Sequence, residues 1–577
     1  MSKNVSKIAF KLKKFQKYFE GDILTDISTR AIYSQDASLY KVLPIAIIYP
    51  KVYNDVKIAI KFAKNNNTSI IARTAGTSLS GQCVGESIIL DYSRYLTKII
   101  EINPNEKYAI VEAGVIRDEL NIALQPHNLI FGPNTSTSNR AMIGGMVGNN
   151  SSGSYSIKYQ TTRENVLEIN GYLSDGSEAL VSTKLIMNYN PNLVELMDKA
   201  ILDCTKYNIT QNKNRFFIKG DPEAILMIEL DGEDEESLKL KSHNLIKSLD
   251  NQQYIYDYSI LYGNDIKRAF DLRASGLGVL MNTKSEDRPV EFVEDTAVDI
   301  EDLPNYIKEF KHIMESKGTE GIYYAHAGAG EIHIRPKVNL KIEEGRQKFR
   351  EIALATAKLV KKYKGSLSGE HGDGIVRSPY IEYMVGSRNY ELFKRIKSTW
   401  DPFNIFNPGK IVGFNSNEEN LKYKIGNSKT IPTNIGFEED GGIIKALERC
   451  TGSGDCRKTE SVGGVMCPSY QATKDERDST RARAVLLRDY YQGNYDNSVK
   501  IEDAVEILEL CLGCKACKSE CPSSVDMASI KTEVLTEYYN THKPKKHIDR
   551  MANYYDNIKI ASKFSSLYNL AITTPLI

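Results

Sequence analysis

The chain has 577 residues, with 75 lysines and arginines against 74 aspartates and glutamates, and its formal net charge is +1. A chain of this length exceeds one hydrophobic core and is expected to divide into about three or four domains. The balanced charge argues against nucleic-acid binding, because no basic field is available to attract phosphates.

Cysteine usage and hydropathy indicate the compartment. Seven of the nine cysteines fall between positions 450 and 521, and only Cys83 and Cys204 lie elsewhere. A disulfide framework is therefore not expected, which indicates a reducing environment. No apolar run approaches the ~20 residues that cross a bilayer, and the N-terminal lysines precede no apolar signal segment. We expect a cytoplasmic protein without a membrane span, either free or peripheral to the inner face of the membrane.

The first domain is predicted at 1–180. Short β-rich runs alternate there with helical and glycine-rich stretches, which is typical of an α+β or α/β domain. The runs lie at 46–49, 69–72, 88–90 and 108–111.

Two segments of this domain, the first loop (73–81) and the second loop (132–151), are rich in glycine and hydroxyl side chains. Backbone N–H groups in such turns can close around a phosphate, so two of them favour a dinucleotide. Loops that only make tight turns are the alternative. The candidate cofactor-binding residues are Arg73, Gly76, Thr77, Ser78, Gly81, Gly132, Pro133, Thr137, Gly144, Gly145, Gly148, Asn149 and Ser151.

The two loops resemble the flavin-binding domain of the FAD-linked oxidases related to vanillyl-alcohol oxidase, D-lactate dehydrogenase and the glycolate oxidase large subunit. The resemblance extends over residues 30–415. It implies that FAD lies between two α+β subdomains, with its pyrophosphate on the first loop and its isoalloxazine facing the second. It also implies that Asn407 belongs to a segment that returns to the flavin.

The chain departs from this family after Leu180. Relatives continue through a further segment that includes a glycine-rich loop against the cofactor, whereas this chain passes almost directly into 190–198, which resembles the start of the substrate-side domain. The FAD-binding fold is therefore expected to carry an internal deletion or a rearranged flavin site. Gln160 is a smaller departure, since relatives usually have glycine there.

A second α+β domain, the substrate domain, is predicted at 181–415. Its first clear strand is 224–230. A helix at about 345–364 is predicted because Phe349, Ile352 and Leu359 recur at helical spacing before Gly365.

Histidines and a carboxylate stand out in the substrate domain. His326 and His333 flank a glycine-containing turn, and Glu370 and His371 lie in a second turn. Two imidazoles and a carboxylate with an open position are typical of a catalytic metal site, here for a divalent ion such as Zn or Mn. Histidines that only pack or hydrogen-bond are the alternative. The resemblance implies that His326, His333 and Glu370 hold the metal and that His371 is the base, since an imidazole can accept a hydroxyl proton at neutral pH.

Two arginines are candidates for binding substrate carboxylates. Arg273 matches a family arginine that grips the substrate carboxylate, as a guanidinium fork does well, and a surface ion pair is the alternative. Arg335 lies two residues past His333. It could hold a second carboxylate, which would favour a diacid such as 2-hydroxyglutarate over lactate.

A polar linker is predicted at 416–445, and a helical, ferredoxin-like domain at 446–540. Its cysteines have the spacing that wraps a 4Fe-4S cluster, and in paired runs the thiolate before proline serves the other run's cluster. The four-cysteine set is Cys467, Cys511, Cys514 and Cys517, and the three-cysteine set is Cys450, Cys456 and Cys521.

The three-cysteine set lacks one ligand, because Ser453 stands where a regular run would place a cysteine. Either Ser453, a water or another oxygen completes a 4Fe cluster, or the site holds a 3Fe form. A structural zinc site is the alternative for these cysteines, since Cys-x2-Cys pairs also suit tetrahedral zinc.

Residues 541–577 are predicted to begin a further, truncated domain. The domain order resembles the large bacterial FAD and iron-sulfur 2-hydroxy-acid dehydrogenases, including those acting on D-2-hydroxyglutarate and D-lactate. This resemblance implies oxidation of a small D-2-hydroxy acid, with electrons passing through the clusters to a quinone, a cytochrome or a carrier protein. The alternative is an electron-transfer subunit with a vestigial flavin site. An oxygen-using oxidase is disfavoured, because its clusters would be redundant.

Overall fold

The computed structural model describes residues 3–182, 193–206, 209–222, 224–230, 234–249, 257–280, 285–414, 416–426 and 430–573. Two α+β domains precede a helical C-terminal region, as predicted. The junction 183–192, where the deletion after Leu180 was predicted, lies outside the described residues.

The strands, numbered along the chain, are β1 Asp22–Leu24, β2 Ala46–Tyr49, β3 Ile70–Arg73, β4 Ile88–Asp91, β5 Ile99–Asn103, β6 Tyr108–Val111, β7 Glu168–Tyr172, β8 Glu178–Ser182, β9 Leu193–Asp198, β10 Ala224–Glu229, β11 Arg288–Pro289, β12 Thr296–Ala297, β13 Gly321–His326 and β14 Glu331–Val338. The strands predicted at 46–49, 69–72, 88–90, 108–111 and 224–230 are confirmed, with ends that shift by at most one residue.

The α-helices of the first two domains are α1 Lys3–Phe15, α2 Ile27–Ile32, α3 Tyr53–Asn65, α4 Arg117–Leu124, α5 Ile143–Asn149, α6 Ser156–Tyr159, α7 Lys199–Lys206, α8 Ile209–Asn212, α9 Glu235–Leu249, α10 Asn264–Leu280, α11 Leu303–Ser316, α12 Glu343–Lys362, α13 Ile381–Val385 and α14 Ser387–Trp400. Those of the C-terminal region are α15 Ile443–Glu448, α16 Pro468–Thr473, α17 Thr480–Gln492, α18 Asn494–Asn497, α19 Ile501–Glu506, α20 Ala516–Glu520, α21 Met527–Tyr539, α22 Lys546–Ala552, α23 Tyr554–Lys563 and α24 Ser565–Thr573.

The first sheet has the order β1-β2-β4-β3, with β2, β4 and β3 parallel. Parallel sheets bury both faces, and alternate residues of each strand point to opposite faces. Ile48 and Ile88 pack with α1 and α3 on one face. Ile47 and Ile89 pack on the other face with C-terminal residues that include Leu447. The C-terminal region therefore covers one face of the first sheet.

The second sheet is antiparallel, with the order β10-β9-β13-β14-β11, and β12 also pairs with β14. Phe310 of α11 and Phe349 of α12 pack with Ile334 in one core, and Leu202 and Leu272 pack with β9 and β13 in another. The predicted helix near 345–364 is confirmed as α12, and the Gly365 N–H donates to the Val360 carbonyl just after its end.

Polar contacts fix the C-terminal region against both α+β domains. In the predicted linker, the Lys422 N–H donates to the Leu39 carbonyl at 2.8 Å. Glu448, at the end of α15, accepts from Arg288 at 3.3 Å and from Lys341 at 2.9 Å. The helical region is therefore packed against both α+β domains.

The helices α22–α24 expose large apolar side chains, such as Met551 at 76% and Tyr555 at 75%. Of the helices in the part of the chain that the structure describes, none combines the length and apolar character that crossing a membrane requires.

Candidate active site and electron-transfer centres

The hairpin of β13 and β14 carries the two predicted histidines of the metal site. Its register pairs His326 with Glu331 and Tyr324 with His333. Because directly paired residues share a face and the side-chain period along a strand is two, all four side chains point to one face of the sheet. Gly330 closes the turn with φ +69°, where a Cβ would lie 2.0 Å from the Val298 carbonyl oxygen. The turn therefore requires glycine.

The loop 368–372 brings the predicted carboxylate onto these histidines. Glu370 Oε1 lies 3.1 Å from His326 Nε2, 3.9 Å from His333 Nε2 and 3.6 Å from His371 Nε2. One ligand atom from each of His326, Glu331, His333 and Glu370 falls within 4.8 Å of the others. Two imidazoles and two carboxylates suit a divalent ion such as zinc or manganese. Glu331 was not predicted as a ligand from the sequence. A tight hairpin turn between His326 and Glu331 would have predicted that the two residues pair across the strands.

Asp295, which the sequence did not single out, holds this loop in place. Its carboxylate accepts from the backbone N–H of Glu370 at 2.8 Å and of His371 at 3.0 Å. Its own carbonyl accepts from the Gly369 N–H at 2.8 Å. Asp295 is fully buried and has φ +78°, so a strained backbone is maintained by these contacts.

Replacing Asp295 with asparagine should weaken retention of a divalent metal about 10–100-fold, the usual effect of losing an outer-shell partner. Asparagine keeps the size but offers only one acceptor to two N–H donors. The measurement is the metal content after dialysis against graded chelator, with the melting temperature recorded in parallel. Asp299→Asn, at an exposed position, is the matched control. Unchanged retention in Asp295→Asn would show that the loop does not depend on this carboxylate.

Burial and mutual charge set the protonation of the site. Burial, with the neighbouring His371 and His326, lowers the pKa of His333 well below its usual value. Burial acts to raise the pKa of Glu370, but His326 and His371 outweigh it and hold the pKa well below the ordinary value. The site therefore offers a neutral imidazole and an ionised carboxylate, which are the ligand forms that metals bind.

His371 differs from His333 in the direction of its pKa shift. Burial acts to lower its pKa, but the Asp295, Glu370 and Glu294 carboxylates outweigh burial and raise it. Its Nδ1 atom is buried and makes no hydrogen bond within the described residues. A raised pKa makes His371 a better proton acceptor, and Oε1 of Glu294 lies 3.9 Å from its Nδ1 atom.

The two arginines predicted to bind substrate both lie beside Tyr324, whose ring stacks on His333. Arg335 is 1% exposed, is ion-paired with Glu294, and donates to the Tyr324 hydroxyl at 3.0 Å. The Arg335 guanidinium thus binds protein partners and supports Tyr324 from within the protein. The Arg273 guanidinium carbon is 5.1 Å from the centre of the Tyr324 ring, which stacks on His333.

The first loop has the free donors that an anionic group requires. Within the described residues, the backbone N–H groups of Gly76, Thr77 and Ser78 donate to no protein acceptor. Gly76 has φ +63°, and a Cβ there would lie 2.5 Å from Arg73 Nη2. Arg73 itself is buried and donates to the Gln35 carbonyl at 2.9 Å. Arg73 therefore shapes the loop, and its backbone is the part suited to a pyrophosphate.

Both loops converge on the histidine site. The Gln82 side-chain amide, just past the first loop, donates to the His371 carbonyl at 2.8 Å. Next to the second loop, the Ser152 hydroxyl donates to Glu370 at 3.1 Å. Asn407 donates to the Gln82 carbonyl at 3.0 Å, and its buried Oδ1 has no partner within the described residues. These contacts place the first and second loops, which resemble FAD-binding loops, against the candidate metal site.

The remaining candidate residues of the two loops differ in how closely neighbouring atoms approach them and in their hydrogen bonds. A Cβ on Gly81, Gly132, Gly144 or Gly145 would lie within 2.7 Å of a neighbouring atom, whereas one on Gly148 would meet nothing within 4 Å. The Pro133 carbonyl accepts from Arg117, Thr137 contacts the Thr135 hydroxyl, Asn149 donates to the His371 carbonyl at 3.4 Å, and the Ser151 carbonyl accepts from Thr162.

The four-cysteine set lines one cavity. Cys467, Cys511, Cys514 and Cys517 face it together with Thr480 and Arg483. Cys467 is 44 residues before Cys511, so the cross-pairing predicted from the Cys-Pro rule matches the positions of these side chains. Cys514 is exposed, and Leu512 beside it is 72% exposed.

The three-cysteine set lies nearer the flavin domain. Burial raises the pKa of Cys521 to about 12, and the Asp455 carboxylate and Cys450 thiol add to the rise. The Ser453 hydroxyl donates to Asp455 at 2.7 Å. The Ser453 carbonyl accepts from Arg140 of the second loop at 2.6 Å. The position that lacks a cysteine is thus in direct contact with the flavin domain.

Family models match three consecutive parts of the chain. Residues 44–181 match the FAD binding domain, 173–411 match the C-terminal domain of FAD linked oxidases, and 449–526 match the 4Fe-4S dicluster domain. The chain therefore carries the two domains of the FAD-linked oxidases, followed by a 4Fe-4S dicluster domain. The matches to the two FAD-oxidase domains overlap near 173–181, next to the undescribed junction.

Curated relatives of this chain include D-2-hydroxyglutarate dehydrogenases. That of Haemophilus influenzae is 27% identical, and the alignment covers 91% of this chain and 66% of the relative. That of Pseudomonas putida is 26% identical, and the alignment covers 91% of this chain and 67% of the relative. D-lactate dehydrogenase of Archaeoglobus fulgidus is 26% identical over 63% of this chain and 91% of the relative. The chain thus spans about two thirds of the length of the first two.

The alignment to the Haemophilus influenzae protein runs over 691 positions, more than the 577 residues of this chain, so that relative has segments that this chain lacks. Among solved structures, p-cresol methylhydroxylase superimposes with a TM-score of 0.50 at 13% identity, covering 72% of this chain and 98% of that one. The superposition supports the two-domain α+β fold.

Proposed function

We propose that this protein oxidises a small D-2-hydroxy acid, D-2-hydroxyglutarate or D-lactate, and passes the electrons one at a time through its iron-sulfur clusters to an acceptor. The relatives named above include D-2-hydroxyglutarate dehydrogenases and a D-lactate dehydrogenase, which supports this substrate class. The match to a 4Fe-4S dicluster domain supports electron transfer through clusters. The acceptor would be a quinone, a cytochrome or a carrier protein.

The observation that carries the proposal is the convergence of the flavin loops on the histidine site. Gln82 contacts the His371 carbonyl and Ser152 contacts the Glu370 carboxylate. A substrate held at His371 would therefore lie beside the residues that would hold the metal and the loops that would hold FAD. Such a position is required for a carbon–hydrogen bond to reach a flavin while its hydroxyl reaches a base.

Different residues would bind the metal, accept the proton and bind the substrate carboxylate. His326, Glu331, His333 and Glu370 would hold a divalent ion, which when bound supplies a Lewis acid for the substrate hydroxyl and carboxylate. His371 would accept the hydroxyl proton at Nδ1. Arg273, beside Tyr324, would bind the substrate carboxylate through its guanidinium. FAD, when bound, would supply the two-electron acceptor that returns electrons singly.

The alternative, an electron-transfer subunit with a vestigial flavin site, rests on the predicted gap after Leu180. It is less well supported, because the histidine site, Asp295 and both loops are assembled in one place. A vestigial site would have no need for this arrangement of buried charges.

FAD and iron per chain, measured on anaerobically purified protein, test the proposal. Stoichiometric FAD whose absorbance is lost on addition of D-2-hydroxyglutarate or D-lactate is the expected result. Iron without flavin, or flavin that neither acid reduces, would reject the dehydrogenase in favour of the alternative. L-lactate serves as the matched control, because the proposed reaction is specific for the D configuration.

A further inference from the structure

Arg481, in the first turn of α17, joins the three-cysteine set to the first loop. Its guanidinium donates to the carbonyls of Ala75 and Gly76 at 3.0 and 3.3 Å. The same group donates to the Gly452 carbonyl at 3.1 Å, and the Arg481 backbone N–H donates to Cys456 Sγ at 3.3 Å. One residue thus contacts a cluster thiol, the cluster loop and the FAD-type loop.

Charged neighbours hold Arg481 in this position. Glu476 accepts from it at 2.9 and 2.8 Å, and also pairs with Arg457 at 2.9 Å. Arg457 donates in turn to the Thr74 carbonyl at 3.4 Å. These three side chains are nearly fully buried. Their two guanidinium groups suit a neighbouring anionic cluster or phosphate.

A second contact crosses the same interface. Arg140 of the second loop donates to the Ser453 carbonyl at 2.6 Å and pairs with Asp455 at 3.1 Å. The three-cysteine set is therefore tied to both FAD-type loops. By contrast, the four-cysteine set includes the exposed Cys514.

Arg483, two residues along α17, plays the matching part for the four-cysteine set. Its guanidinium lies 3.5 Å from Cys467 Sγ and donates to the Ser469 hydroxyl at 3.0 Å. Arg481 and Arg483 are both buried. The N-terminal turn of α17 therefore lies between the two cysteine sets and supplies one arginine to each.

We infer that electrons leave the flavin through the three-cysteine cluster, and that Arg481 is the positioning residue that holds this cluster against the flavin loop. The inference rests on the proposed function for its source of electrons. The four-cysteine cluster then receives each electron and delivers it near Cys514 at the surface.

The electrons balance as follows. One D-2-hydroxy acid gives up two electrons and two protons and becomes the 2-oxo acid. The pair passes through the three-cysteine cluster one electron at a time, and then through the four-cysteine cluster. A one-electron acceptor such as ferricyanide takes each electron, so two acceptor molecules are reduced per substrate and the protons go to solvent.

The experiment compares Arg481→Gln with Arg483→Gln in the full chain. Rapid mixing with D-2-hydroxyglutarate or D-lactate follows flavin absorbance, and freeze-quenched EPR follows each cluster. In Arg481→Gln, electron arrival at the clusters should slow about tenfold or more relative to flavin reduction in the same variant, as a barrier higher by about 1.4 kcal/mol would give. In Arg483→Gln, the first transfer should be unchanged and only the four-cysteine signal should be altered.

An equilibrium dithionite titration gives a reading that does not depend on substrate. Losing a buried positive charge should lower the reduction potential of the three-cysteine cluster in Arg481→Gln, and that of the four-cysteine cluster in Arg483→Gln. If neither acid reduces the flavin, the proposed function fails while this titration still tests the arginine assignments. Should Arg481→Gln lose iron, Arg140→Gln removes only the second crossing contact and should slow the same transfer. An unchanged transfer rate in an iron-replete variant, or reduction of the four-cysteine cluster first, would overturn the inference.

Discussion

Replacing His371 with glutamine should slow reduction of the flavin by substrate about 10²–10⁴-fold, the usual contribution of a general base. Glutamine fills similar space but cannot accept the hydroxyl proton. The geometry that supports this role is the buried Nδ1 without a hydrogen bond and the carboxylates of Asp295, Glu370 and Glu294 around the ring. Anaerobic rapid mixing with the D-2-hydroxy acid that reduces the wild-type flavin measures the rate.

The content of FAD and iron should not change in His371→Gln, because the backbone of the loop remains bound to Asp295. His312→Gln, at an exposed position on α11, controls for the loss of an imidazole as such. A decrease of less than tenfold in His371→Gln, with cofactors intact, would mean that another group takes the proton.

Replacing Cys467 with serine should remove the four-cysteine cluster and leave the three-cysteine cluster in place. Cys467 is only 11 residues from Cys456 in sequence, but its side chain faces the same cavity as Cys511, Cys514 and Cys517. Colorimetric iron should fall by about four atoms per chain, the content of one 4Fe-4S cluster. EPR of the reduced protein should retain the signal of the remaining cluster.

Cys521→Ser should give the complementary result, losing the cluster that contacts the flavin domain. Cys83→Ser, a thiol outside the C-terminal region, should leave iron unchanged and serves as the control. Identical EPR spectra from Cys467→Ser and Cys456→Ser would contradict the cross-pairing and assign both residues to one cluster.

Local spacing was enough to predict many of the chemical groups. The cysteines, the two histidines of the hairpin and the Glu370-His371 pair are close in sequence within each motif, so their function leaves a readable pattern. The strands of the first sheet and α12 were also predictable, because burial repeats at the period of each element. Ser453 marked the incomplete cluster in the same way.

Contacts between distant parts of the chain could not be read from such patterns. Asp295 binds the backbone N–H groups of Glu370 and His371, which lie 75 and 76 positions further along the chain. No local sequence motif marks the Asp295 carboxylate for this contact. Arg335 looked like a substrate ligand from its spacing, but burial beside Glu294 engages it inside the protein. Glu294 reaches Arg335 only because β14 packs against the segment that follows β11.

By itself, the sequence determined which chemistry this chain carries: a flavin domain, a histidine site and seven cluster cysteines. Only the tertiary structure decided how these parts meet. Arg481 reaches the first loop across more than 400 residues of sequence, since the helical region packs on the face of the first sheet that α1 and α3 leave uncovered. Hydrophobic burial of that face brings the three-cysteine set to the flavin, and no local pattern encodes such long-range packing.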